Sequence, residues 1–412
     1  MMRRLLFVAL LGLPAGVFGD GVLLLPKSAL APHELGLIVN DSDPLSREIG
    51  AYYQQRRAIP EDNVIHVRFL PRQAALDPHS FAMLYDRVQA NTPAHVQAYA
   101  LAWTRPYKVG CMSITSAFAT GYDPRYCASE RLPDRPCGLT AKSPYYASDS
   151  RAPQRDFRLR PSMLLAAENL NDARRLIDRG IAADASFPEG TAYLLSTSDA
   201  SRTVRDRGYA RIQRALGRQL HIELLEQDSL KDRQDVLFYF TGLTRVDDLD
   251  TLGFLPGAVA DHLTSSGGRM KGPSRGGQMS SLRWLEAGAT GSYGTVVEPC
   301  NFPSKFPNPG LLMAFYLRGE SLIEAYWKSV ARPGEGLFIG EPLAAPFQRR
   351  QIAFKGDAVE VPLNQLRPGT YRLQTATYPV GPYRDSGRTL QVTGNKRQPR
   401  LAGLVHTFYR LR

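Results

Sequence analysis

Beyond its first twenty residues this chain has no long apolar run, so nothing later in it is suited to crossing a bilayer. Cysteine is scarce, with four residues at 111, 127, 137 and 300, and no CxxC or Cys/His ligand spacing accompanies them. That excludes zinc-finger and thioredoxin-type motifs, and no metal is expected. There is no GxxxxGK[ST] loop and no GxSxG elbow, which removes the P-loop and α/β-hydrolase signatures. Asp247, Asp248 and Asp250 have the density of calcium ligands, but the glycine and terminal glutamate of an EF-hand are missing. No internal repeat is visible, and no motif points to a particular cofactor. Acidic residues are the scarcer sign: 39 Asp and Glu stand against 51 Lys and Arg, a formal net charge of +12. Such a surplus favours anionic cell-envelope components as partners. The arginines are scattered and carry no recognition motif, so nucleic acid is not expected.

What is present begins with MMRRLLFVALLGLPAGVFGDG. Arg3 and Arg4, an apolar run from Leu5 to Phe18, and small residues at Val17 and Gly19 have the order of a cleaved signal peptide over 1–19. The expected location is periplasmic or extracellular, where an even cysteine count implies bridges. Cys127 and Cys137 share a polar, Pro-containing loop and form a natural local pair, leaving Cys111 for Cys300.

From residue 20 to 348, apolar runs alternate with amphipathic segments. Strands are expected at 34–40, 63–69, 98–103, 191–198, 235–242, 257–265 and 289–299. Helices are expected after an N-cap at Ser46, around 79–90, 170–183, 202–218 and 278–288, and twice within 310–330. This rhythm predicts an α/β fold, a mostly parallel sheet with helices on both faces. A long irregular insertion at about 104–160, holding three of the cysteines, interrupts it as a cover over a site. From 349 to 412 the helices stop and alternating segments such as GTYRLQTATY predict a small β-sandwich.

Parallel sheets bind ligands beyond the carboxyl ends of their strands, so the polar residues there are the candidates. Thr241 and Gly242 end one strand. Asp261 and His262 end the next, followed by Thr264, Ser265, Ser266, Gly267 and Gly268, a turn whose amides suit an oxyanion. His262 suits proton transfer near neutrality. Alternation sends Asp261 and His262 to opposite faces, and a hydrogen-bonded structural histidine is the plainer reading. Cys300 is the thiol best placed for a nucleophile, provided it is not bridged. Glu298, ending the following strand with Asn301 beyond it, can serve as a general base or cap a turn. Asn40, Asp41, Ser42 and Asp43 lie between a strand and a helix, where they suit an ion or simply cap the helix. Pro106, Tyr107, Tyr145 and Tyr146 can line a pocket mouth or pack the insertion.

The stretch LIVNDSDPLSREIGAYYQQRRAIPEDNVIHV, with SYGTVVEPCNFPSKFPNP and LFIGEPLAAPF, resembles a family of exported bacterial proteins of unknown function over most of 34–347. More distantly, strand, small-residue turn, strand, helix, GA-initiated strand and a closing G-[DE]-P resemble the caspase and gingipain type of cysteine peptidase. That resemblance implies a caspase-like three-layer sheet. It also implies a His-Gly pair where Thr241-Gly242 stands and a cysteine near His262 to Thr264, and neither is present. The expectation is therefore a non-catalytic or envelope-associated binding protein on a degenerate hydrolase-like scaffold. The alternative is a hydrolase using Cys300 with His262, or a carboxylate site at Glu298.

Overall fold

A computed structural model describes residues 21–71, 73–128, 137–270, 277–362, 365–393 and 398–412. The expected signal peptide, with Val17 and Gly19, lies outside them. The chain divides into two compact units, Ser28–Gln348 and a smaller one built from residues up to Lys27 together with Arg349–Arg412.

The larger unit holds a ten-stranded sheet. In chain order its strands are β1 (Leu35–Asn40), β2 (Val64–Val67), β3 (Ala98–Leu101), β4 (Ser162–Leu164), β5 (Thr191–Ser196), β6 (His221–Glu226), β7 (Val236–Thr241), β8 (Phe254–His262), β9 (Gly291–Thr295) and β10 (Gly336–Gly340). In space they run β6-β5-β7-β8-β9-β10-β4-β3-β1-β2. Neighbours are parallel except at one seam, where β9 and β10 are antiparallel, Gly291 opposite Gly340 and Thr295 opposite Gly336. Two five-stranded parallel blocks thus point in opposite directions.

Helices cover both faces, which is why the strands read as continuous apolar runs. Leu37, Val39, Ala98 and Ala100 face one core with α1 (Pro44–Arg57), α4 (Leu170–Ala183), α5 (Tyr209–Leu216), α7 (Pro309–Leu317) and α8 (Leu322–Ser329). Ile38, Tyr99 and Leu101 face the other, with α2 (Pro78–Asn91), α3 (Ile114–Thr120) and α6 (Leu282–Ala287). The expected mixed α/β sheet with helices on both faces is present.

Three expectations need correction. The segment 104–160 is not merely irregular: α3 inside it is almost wholly buried and packs on the sheet, because ITSAFA offers small and apolar side chains all round. The cap of α1 is Asp43, whose Oδ1 accepts from the Leu45 amide, while Ser46 sits inside the helix and its Oγ accepts from the Asn40 amide. Residues 21–27 do not begin the α/β unit. Gly21–Leu24 pairs antiparallel with Gln351–Phe354 and parallel with Phe408–Leu411.

The smaller unit is all β, with a five-stranded sheet in the order Gln351–Phe354, Gly21–Leu24, Phe408–Leu411, Gly369–Ala376, Arg384–Val392. A two-stranded pair, Ala358–Glu360 with Arg400–Ala402, accompanies it. Leu23, Val361, Leu373 and Tyr409 are its core.

Candidate functional site

The reversal at the seam gives the sheet two carboxyl edges rather than one. Asn40 ends a strand of one block, whereas Thr241 and His262 end strands of the other, so the sequence candidates fall at opposite edges. At the first edge they are engaged by the fold itself, and Asp43 also lines a cleft of about 260 Å³ with Trp103, Arg105 and Glu168. Asn40 is fully buried, its Nδ2 donates to the Phe69 carbonyl, and its Oδ1 accepts from the Phe69 and Ser42 amides. Asp41 pairs with His66 at 2.7 Å, and Asp43 caps α1.

At the second edge, beyond β7, β8 and β9, lies a crevice of about 310 Å³. Ser201, Arg202, Leu263, Thr264, Ser265, Glu298, Pro299, Cys300, Asn301 and Phe306 line it. Thr264, Ser265, Glu298 and Cys300 are thereby brought together. Arg202 was missed by the sequence reading, although it follows the end of β5 and the strand-end rule points to it as well.

Arg202 is held there by backbone packing. A methyl group added to Gly242 would lie 2.0 Å from the Arg202 carbonyl oxygen, so only glycine lets the 199–203 loop cross the end of β7 this closely. Arg202 Nη1 pairs with Asp199 at 2.7 Å and its Nε donates to Thr264 Oγ1 at 3.3 Å. Thr264 Oγ1 in turn donates to Gln278 Oε1 at 2.9 Å. That oxygen also accepts from the Ser266 amide at 2.6 Å, and the Gly268 amide donates to the Thr295 carbonyl. Two amides of the expected oxyanion cradle are therefore turned inward.

His262 does not reach the crevice. It is buried on the α6 face of the sheet, where the Trp284 indole N–H donates to its Nδ1 at 2.9 Å. Its Nε2 then carries the proton and donates to the Met279 carbonyl at 3.1 Å. Both ring nitrogens are occupied and the tautomer is fixed. Burial lowers its pKa to about 4, against the weaker opposing effect of the Met279 bond. Asp261 points to the opposite face, as strand alternation requires. It pairs with Arg205 at 2.6 Å, and the same guanidinium donates to the Thr241 carbonyl at 2.6 Å and to that of Pro307. Burial raises the Asp261 carboxyl, and the Arg205 charge opposes that.

The cysteines pair as Cys111–Cys127 and Cys137–Cys300, not as Cys127–Cys137 and Cys111–Cys300. Cys111 and Cys127 belong to the same buried cluster, so shared packing rather than loop proximity decides the pairing. Bridged to Cys137, Cys300 has no thiolate to offer. Glu298 caps the turn that carries it: Oε1 accepts from the Cys300 amide at 2.8 Å, and Cys300 is left-handed at φ 57°. Among the described residues no cluster of three His, Cys, Asp or Glu side chains is placed to hold a metal ion. Nor is any helix among them long and apolar enough to cross a membrane.

No family model and no curated protein matches the chain. It is similar to a solved structure described as "Structure of Protease", at 10% identity and a TM-score of 0.36, covering 93% of this chain and 93% of that one.

Proposed function

We propose that this is an exported, non-catalytic binding protein whose ligand site is the crevice at the carboxyl ends of β7, β8 and β9. Its larger unit is a hydrolase-like scaffold of the caspase and gingipain type, and its smaller unit is a β-sandwich. The observation that carries the proposal is His262. A proton-transfer residue needs a free nitrogen facing the substrate, and this one spends both on Trp284 and Met279 inside the core. With Cys300 bridged, the cysteine-hydrolase alternative lacks base and nucleophile together. Glu298 is engaged by the Cys300 amide, and the crevice lining holds no second carboxylate and no histidine to share acid and base roles with it. What the crevice does offer is an arginine, several hydroxyls and an amide, groups that recognise a polar anionic ligand. The two disulfides fit an exported protein.

The test is to incubate the disulfide-intact protein with a complex peptide mixture and read new termini by mass spectrometry. The expected result is no cleavage above a heat-inactivated control. Cleavage that disappears in Glu298→Gln or His262→Gln would overturn the proposal.

A further inference from the structure

We infer that a row of arginines leading away from the crevice is the docking track for a linear acidic polysaccharide. This rests on the crevice being the ligand site. Arg211 and Arg214 stand one turn apart on α5. Arg207 lies in the short 3-10 turn Asp206–Gly208 that leads into the helix, and Arg218 just past its end. Their spacing of four, three and four residues keeps all four on one face. At roughly 1.5 Å per residue the row is about 16 Å long. All four side chains are exposed, and none has an ion-pair partner among the described residues.

Exposed arginines without an ion pair among the described residues also occur elsewhere, such as Arg87 and Arg245. What sets these four apart is that they follow one another along one segment, whereas several others are paired within the fold. Arg125 pairs with Asp123, Arg155 with Asp156, Arg175 with Asp172 and Arg283 with Glu286. Along 206–218 the single acid is Asp206, which accepts from Thr203. Four like charges one turn apart repel one another, and among the described residues no carboxylate forms an ion pair with any of them. The track is also rigid. Tyr209 and Leu216 are buried on the inner face of α5, and Ile212 packs at Gly310 of α7. Its first member, Arg207, comes five residues after Arg202 of the crevice wall, and Arg205 between them is bonded to the carbonyl of Pro307, the chain neighbour of Phe306 in the same wall.

The occupant follows from what lies between the arginines. The exposed residues there are Ala210, Gln213, Ala215 and Gly217, without an aromatic ring or a large apolar side chain. Bases have nothing to stack on, and a bilayer has no side chain to take into its interface. A single file of guanidinium forks suits a chain of regularly spaced carboxylates. In the crevice, Ser201, Ser265 and Asn301 supply partners for sugar hydroxyls.

The probe is a set of oligogalacturonates of two to eight units, titrated into the full disulfide-bonded protein by calorimetry. Affinity is expected to rise with length until the oligomer spans the row, then level off. Its logarithm should fall with log salt at a slope of about −3 for four contacts. The exposed double variant Arg211→Gln/Arg214→Gln should keep its far-UV spectrum and melting temperature, bind at least tenfold more weakly and halve that slope. Unchanged binding in this variant would overturn the inference. So would tighter binding of oligothymidylate or phosphatidylglycerol vesicles than of the oligogalacturonate. Arg202→Gln separates the two readings: if it binds like the wild type while the double variant is weakened, the crevice reading fails and the track stands.

Discussion

Acidifying this protein from pH 7.5 to pH 5.0 will cost its larger unit about 2 kcal/mol through one side chain, His262. In the unfolded chain an imidazole titrates near 6.5, whereas in the fold burial lowers it to about 4. The folded-state value is the depressed one, so the unfolded state binds the proton first. The stabilisation is complete above about pH 6.5 and is lost progressively as the pH falls through about 4. At pH 5.0 the unfolded chain lies about 1.5 pH units below its own value, worth about 2 kcal/mol at 1.36 kcal/mol per unit. Urea unfolding at the two pH values, with the disulfides intact, measures the step. Tryptophan fluorescence is a suitable signal because Trp103, Trp284 and Trp327, all buried, belong to the larger unit. The control is His262→Gln, which cannot titrate and keeps at most one of the two hydrogen bonds. It should be less stable at pH 7.5 by about 1–3 kcal/mol. Its loss between pH 7.5 and 5.0 should nevertheless be smaller than the wild type's by about 2 kcal/mol. Carboxylates such as Asp261 and Asp184, which burial raises, act with the opposite sign but are common to both proteins. Equal steps in the two proteins would refute the buried, neutral assignment.

Unfolded without reductant, the chain should show no reactive thiol, and a non-reducing digest should join Cys111 to Cys127 and Cys137 to Cys300; a Cys127–Cys137 peptide would contradict the pairing. Asp261→Asn strands the Arg205 guanidinium in the core and should destabilise by about 3–5 kcal/mol in the same unfolding assay. Adding Arg205→Met to that variant should recover part of the loss; a single-variant effect under about 1 kcal/mol would mean the pair is not desolvated as described. Gly242→Ala pushes a methyl group into the Arg202 backbone and should cost about 1–3 kcal/mol while weakening ligand binding at the crevice, and a neutral result in both would dissociate loop position from the site.

The strands were readable because a sheet buried on both faces needs apolar side chains at every position, as in VLFYFT of β7 and LGLIVN of β1. Strand direction has no such signature. The antiparallel seam was invisible for that reason, and with it the separation of Asn40 from His262. β4 escaped notice because three residues, Ser162–Leu164, carry too little pattern. The edge that holds the crevice was found through its polar strand ends, yet the partners of those residues were not. Trp284 lies 22 residues beyond His262 and Arg205 lies 56 before Asp261, distances over which one sequence shows no pairing. The cysteines failed for the opposite reason: nearness in the chain suggested Cys127–Cys137, and core packing overruled it.

The seam between β9 and β10 also governs the order in which the chain can complete itself. The block β1–β4 has its inner edge at β4, and that edge is closed by β10, which arrives only after all five strands of the other block. A chain emerging from its N-terminus therefore carries an open sheet edge until residue 340 has appeared. Every fragment ending between β4 and β10 keeps that edge, a template for pairing with another chain. No single cut separates the two blocks, since any break leaves β10 on the wrong piece. The larger unit is indivisible in synthesis even though its sheet is bipartite in form.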